Sequence, residues 1–306
     1  MRKFFFLLAA IVSLNLMATD GALNGKFSVA ADKQVVFSQG NLQYVGTWQF
    51  AEHQWDYFGD TQSDNHRDLF GWGTGDTPNK VSDDNSDFAT FTDWGTNAIT
   101  NGGNTANAWR TLTKDEWVYL FCTRTNAATL FGLGSVNGVN GTILLPDNWT
   151  LPAGASFTAS TTQGLADQGG YYYNNNEDNF SHNTYTIAQW EKMEAAGAVF
   201  LPAAGRRYGA DVLDVGSYGF YWAATPCVTS FAYRLLFYSY SLDPQGISDR
   251  YLGFSVRLVQ DIDTEGIEEP TSDSSLKGRA NKVLRDGVLY IERNGRTYNA
   301  QGAEVR

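Results

Sequence analysis

Asp83-Asp-Asn-Ser-Asp87 sets carboxylate and amide groups at alternate positions, so that Asp83, Asn85 and Asp87 match the opening ligands of a calcium loop. Phe88 stands where an EF-hand needs glycine, and no glutamate closes the loop at the twelfth position, so an EF-hand is excluded. His53, His66 and His182 are scattered through polar stretches, and no two have the i, i+4 spacing of a helical zinc motif. They read as surface histidines. Gly71-Trp-Gly-Thr-Gly75 imitates part of a phosphate loop but lacks the Lys-Ser/Thr that follows in such loops. No Gly-x-Ser-x-Gly elbow is present, and three loop histidines supply no Ser-His-Asp triad. Cys122 and Cys227 are the only cysteines; they read either as one bridge in an oxidising compartment or as two separate buried thiols.

With little catalytic chemistry to build on, the informative groups are aromatic. Tyr171-Tyr-Tyr173 precedes Asn174-Asn-Asn176 in a loop, where three adjacent rings cannot all reach a core. Rings beside amides are groups against which sugars or peptide strands stack and bond.

The elements that must position such groups are strands. The chain has 31 Gly, 19 Phe, 16 Tyr and 9 Trp, a composition suited to short strands and tight turns. Between residues 26 and 50 the pattern gives hairpins punctuated by Gly40 and Gly46. Residues 57–107 are rich in Gly, Asn, Asp and Thr yet carry Trp72 and Trp94, which with Trp55 should pin long ordered loops. Two helices announce themselves by capping boxes, Thr113 with Glu116 and Thr186 with Gln189, each preceded by an apolar residue able to staple onto a tryptophan. Later strands are expected over 198–201, 219–224, 231–239 and 252–259, with Asp243-Pro-Gln-Gly246 as a turn. The fold class is α+β, with helices over a twisted, mostly antiparallel sheet.

The ends differ from the middle. Arg2 and Lys3, an apolar run and Ala18 read as a signal peptide over 1–18, too short to span a bilayer, and imply export to a periplasm, cell surface or medium. A formal charge of −11 excludes nucleic acid as a partner. Residues 19–260 form the main domain, 261–275 an acidic linker, and 276–306 a basic β-rich tail with hairpin turns at Arg285-Asp-Gly287 and Arg293-Asn-Gly295.

Phe231-Ala-Tyr-Arg-Leu-Leu-Phe237, Gly253-Phe-Ser-Val-Arg-Leu-Val259, Trp109-Arg-Thr-Leu-Thr-Lys-Asp-Glu-Trp117 and Gly219-Phe-Tyr-Trp-Ala-Ala-Thr225 together resemble the core of formylglycine-generating enzymes. Most of residues 26–260 resembles a Bacteroidetes branch of the Fibrobacter succinogenes major paralogous domain, itself similar to those enzymes and to C-type lectins. Gly40-Asn-Leu-Gln-Tyr44, Asp68-Leu-Phe-Gly-Trp-Gly73, Leu144-Leu-Pro-Asp-Asn-Trp149 and Phe200-Leu-Pro-Ala-Ala-Gly205 carry the match. The resemblance implies that fold, and a copper site built on two cysteines whose places here are Ala232 and Phe237. Without soft thiolates the oxidase chemistry is not expected. By the same analogy Arg206, Arg207, Tyr208, Tyr221, Trp222 and Arg234 lie near the binding face, although one of Tyr221 and Trp222 should be core. A loose structural calcium at Asp83, Asn85 and Asp87 is the one cofactor the resemblance allows, against a plain acidic turn. The tail resembles C-terminal tails of exported Bacteroidetes proteins, which implies a sorting or attachment role; a stabilising hairpin is the other reading. The expected function is an exported, non-catalytic module binding a glycan or protein, with a structural or adhesive component, or an enzyme of another type, as alternatives.

Overall fold

The computed structural model describes residues 21–160, 172–173 and 179–262, and the tail strands 281–285, 288–293, 296–299 and 304–305. The leader, Tyr171 and most of the acidic linker lie outside the described residues. The chain divides into two units, Met1–Thr264 and Glu265–Arg306.

The first unit is mixed α and β, mostly antiparallel strands with two helices. It opens with β1 (Phe27–Ala30) and β2 (Lys33–Phe37), then β3 (Leu42–Tyr44) and β4 (Trp48–Phe50). Alternation in these runs buries Phe27, Val29, Val35 and Phe37 on one side. Loops follow to β5 (Arg110–Thr111), held by 3-10 turns and by Trp55, Trp72 and Trp94, all buried as their spacing in a polar stretch required. Asp93 caps one such turn and also accepts from the backbone and hydroxyl of Thr111.

Helix α1 (Lys114–Val118) starts at the Thr113 capping box and runs into a π-helical turn, Tyr119–Thr123. A hairpin that the sequence reading passed over follows: β6 (Phe131–Val136) and β7 (Val139–Leu144) joined by Asn137-Gly138, both at positive φ. That is the two-residue hairpin turn in which both central residues need φ above zero. The two-residue strand β8 (Tyr172–Tyr173) and β9 (Thr184–Tyr185) precede helix α2 (Ile187–Ala195). Its Thr186–Gln189 capping box is complete, Tyr185 meets Trp190 at 5.9 Å, and Gly197 at φ 100 stops the helix.

The C-terminal half supplies β10 (Val199–Pro202), β11 (Arg206–Tyr208), β12 (Asp211–Leu213), β13 (Tyr218–Cys227), β14 (Phe231–Tyr238), β15 (Ser241–Asp249) and β16 (Leu258–Ile262). Three four-stranded sheets result, in the orders β1-β2-β16-β5, β10-β7-β6-β9 and β13-β14-β15-β8, with β3-β4 and β11-β12 as separate hairpins. The third sheet divides the core. Tyr221, Leu235, Phe237 and Leu242 face a cluster with Phe37, Trp117 and Phe131; Phe220, Trp222 and Ala232 face another with Trp72, Trp94 and Phe254.

Three boundaries differ from the sequence reading. Asp243-Pro-Gln-Gly246 is no turn but a bulge inside β15: Pro244 and Gln245 stand opposite Leu235 alone, which accommodates a residue with no N–H to donate. The stretch 252–257 is not a regular strand, because Gly253, Phe254 and Ser255 each bridge to a different segment, at Arg207, Phe70 and Tyr221. Asp261 and Ile262 belong to β16 rather than to the linker. Arg110 fixes Asp261 at 2.6 Å while also holding Glu116 at 2.7 Å, which joins β5, β16 and the first turn of α1.

The second unit is an antiparallel meander of β17 (Asn281–Arg285), β18 (Val288–Arg293), β19 (Arg296–Asn299) and β20 (Glu304–Val305). Arg285 pairs with Val288 and Arg293 with Arg296, while the expected turn residues 286–287 and 294–295 lie outside the described residues.

Gly219 makes the division of the core testable. A Cβ there would fall 2.0 Å from the Phe237 ring, which has no exposed space to enter. Gly219→Ala should cost about 1–3 kcal/mol by overpacking, read as a lower urea midpoint at unchanged slope.

Candidate functional site

Alternation along β13 and β14 sorts their side chains. Tyr218, Phe220 and Trp222 pair with Tyr238, Leu236 and Arg234 on one face, and Gly219 and Tyr221 pair with Phe237 and Leu235 on the other. Towards Tyr218 the first face reaches solvent. Tyr218 and Tyr238 are half-buried and stack at 4.9 Å and 26°, and the exposed Tyr240 meets Tyr238 edge-on at 4.6 Å. The row extends by backbone pairing from Tyr238 to Ser241 and from Ser241 to Tyr173 in β8. The sheet thereby places Tyr172 and Tyr173 on its edge at β15, one strand beyond β14 and two beyond β13.

Beside this row lie two arginines. The Arg206 and Arg234 guanidiniums stand 5.7 and 5.4 Å from the Phe220 ring centre, within cation–π range. Arg206 is fixed by Asp214 at 2.8 Å and Arg234 by donating to Ser248 Oγ at 2.8 Å. Gly246 leaves space for these groups: a Cβ there would lie 2.4 Å from Arg234 Nη1 and 2.7 Å from Asp243 Oδ2, so both side chains would have to shift. Burial raises the Asp243 carboxyl above its ordinary range, against the Gln245 N–H and the nearby Arg234, which lower it. Tyr208 is 48% exposed and packs edge-on against Tyr251 at 5.8 Å.

Three expected site residues are core instead. Tyr221 is wholly buried; its hydroxyl donates to Pro202 O at 2.9 Å and accepts from Asn41 at 3.1 Å, and burial pushes its pKa up. Trp222 donates to Phe70 O at 2.7 Å and packs on Phe254 at 4.3 Å. Arg207 is 1% exposed; its Nε donates to Leu69 O and its Nη1 to Gly209 O, and burial pulls its pKa down to about 10. None of the three offers surface to a ligand in this conformation. The residues missed were Tyr218, Tyr238 and Tyr240, although alternation in 218–222 and 234–238 carried the signal.

The possible calcium ligands do not converge. The Asn85 amide donates to Asp249 Oδ1 and its oxygen accepts from Arg250 N, both at 2.8 Å, while Asp87 accepts from Ser82. Among the described residues no group of three His, Cys, Asp or Glu is placed to hold a metal. His53 pairs with Asp56 and stacks on Trp55; His66 stacks on Phe58. Cys122 and Cys227 are both free thiols, and burial raises Cys122 to about 11, with Asp243 adding to the shift.

The positions of the two copper-binding cysteines do not fit copper either. Ala232 and Phe237 are five residues apart on one strand, so they fall on opposite faces. Ala232 lies in the cluster with Trp222, and Phe237 in the one with Trp117.

Comparison with protein-family models, curated proteins and solved structures returns no match. The class that can be stated from the molecule itself is a mixed α and β domain of several mostly antiparallel sheets with two helices.

The loop before this face carries a titration. Asp68 is buried and accepts from Phe58 N at 2.7 Å and Gln62 Nε2 at 2.5 Å, yet burial outweighs both and raises its carboxyl from 3.8 to about 6. A pKa raised on folding means that the protonated acid is favoured. Its contribution is full below about pH 4 and lost as pH climbs through 6. The stability of wild type relative to Asp68→Asn should fall by about 2–3 kcal/mol between pH 4 and pH 7. A pH-independent difference in denaturant titrations would contradict this origin.

Proposed function

We propose that this chain is a non-catalytic binding module of the formylglycine-generating-enzyme and C-type-lectin-like class, exported to the cell surface or periplasm, which recognises a glycan. The observation that carries the reading is the stacked, half-exposed row Tyr218–Tyr238–Tyr240 beside two fixed guanidiniums at Phe220. Aromatic faces on a rigid sheet stack against sugar rings without losing side-chain freedom at binding, and neighbouring arginines donate to hydroxyls. The arginines carry their own counterions, Asp214 by direct contact and Asp243 beside Gly246, so the face favours a neutral chain over an anionic one.

Recognition rather than oxidation is supported by the two positions where soft ligands would be needed. An alanine methyl and a phenyl ring bind no copper, and their side chains diverge. Among the described residues no helix is long and apolar enough to cross a membrane.

Two measurements test this. Retention on immobilised polysaccharides or a glycan array should drop at least tenfold for Tyr218→Ala/Tyr238→Ala while the melting temperature moves by only a few degrees; retention equal to wild type would remove the tyrosine row as the site. Copper(I) titration against a chromogenic chelator should show no tight site in Ala232→Cys/Phe237→Cys. Stoichiometric tight binding in that variant would mean that the two positions can converge, and would reopen the oxidase reading.

A further inference from the structure

The segment 71–92 encloses a cavity of about 360 Å³ away from the tyrosine row in sequence and lining. Its walls are unusually well fixed for loops. Gly73 at φ 72 has no room for a Cβ, which would meet Phe91 Cα at 2.7 Å, and so lets residues 90–92 lie against 73–75. Thr92 N donates to Gly73 O at 3.0 Å and Gly75 N to Thr92 O at 3.1 Å, closing a short backbone zipper. Behind it the Arg250 guanidinium stacks on Trp72 at 4.4 Å and donates to the carbonyls of Phe88 and Ala89. Gly73 and Gly75 of the Gly-Trp-Gly-Thr-Gly run therefore answer to close backbone approach, and Gly71 to the Phe88 ring.

The lining is chemically mixed in a way that narrows the ligand. Thr74, Thr77, Thr90 and Thr92 line the cavity together with Trp72 and Phe88. One cation, Lys80, faces two carboxylates, Asp76 and Asp87, so a phosphate or other anion meets net repulsion. Lys80 itself is tied, donating to the Asp87 carbonyl and standing 5.0 Å over the Phe88 ring.

From these features we infer that the cavity between Trp72 and Thr92 is a second, independent binding site for one neutral polyhydroxylated ring, a single sugar residue. Hydroxyl groups donate and accept, which matches a lining of threonines and carboxylates, and the volume accommodates one pyranose. The site does not use the tyrosine row, so it stands or falls separately from glycan recognition there.

The test is titration of the full chain with the methyl glycosides of glucose, galactose, mannose, xylose and N-acetylglucosamine, followed by calorimetry or saturation-transfer NMR. At least one should bind with a Kd below 10 mM. Thr90→Val/Thr92→Val, which preserves shape, should weaken it about tenfold, and Lys80→Met should weaken it also, with unchanged thermal unfolding. Tyr218→Ala/Tyr238→Ala should leave this affinity as in wild type. The proposal is overturned if no glycoside binds below 10 mM, if the threonine variant binds equally well, if the tyrosine variant abolishes binding, or if inorganic phosphate or ethanolammonium occupies the cavity more tightly than any sugar.

Discussion

Buried guanidiniums holding main-chain carbonyls are the interaction on which this molecule depends. Arg124, Arg207, Arg250 and Arg257 are all 5% exposed or less, and each donates to backbone oxygens of segments distant in the chain or in a turn. Arg250 alone gathers the carbonyls of Phe88, Ala89, Val228 and Phe231. A domain with two short helices and long loops has many carbonyls that no ladder can satisfy, and buried ones must find donors. One planar group with five N–H donors meets several at once. The cost is the burial of a charge, which pulls Arg124, Arg207 and Arg257 down to about 10, still cationic at neutral pH.

The same constraint explains which parts of the sequence could be read. The helices were legible because a capping box is local: Thr113 with Glu116 and Thr186 with Gln189 are three residues apart, and both boxes form. The tail hairpins were legible for the same reason, since Asp-Gly and Asn-Gly between apolar runs specify two-residue turns. Arg207 misled because an arginine beside a tyrosine reads as surface, and only the approach of Leu69 and Gly209, one of them 138 residues away in sequence, makes it a structural donor. Pro244 misled similarly. Its neighbours Asp243 and Gly246 are turn formers, and the bulge that admits them depends on the partner strand β14.

The proposed binding face was half legible. Arg206, Tyr208 and Arg234 were named by analogy and stand partly exposed, whereas Tyr221 and Trp222 are both buried because a core cluster covers each face of β13 at that point, which no strand pattern alone reveals. Tyr218 and Tyr238 become a site only when pairing puts them side by side at 4.9 Å.

A carbonyl oxygen is the same whichever residue carries it. Because Arg250 grips residues 89 and 228 by main chain alone, the exposed side chains at those two places are released from any duty to the fold. Substitutions accumulating there would change what the loops touch while the scaffold beneath stays put, so a lineage built on such anchoring can trade one specificity for another without first surrendering stability.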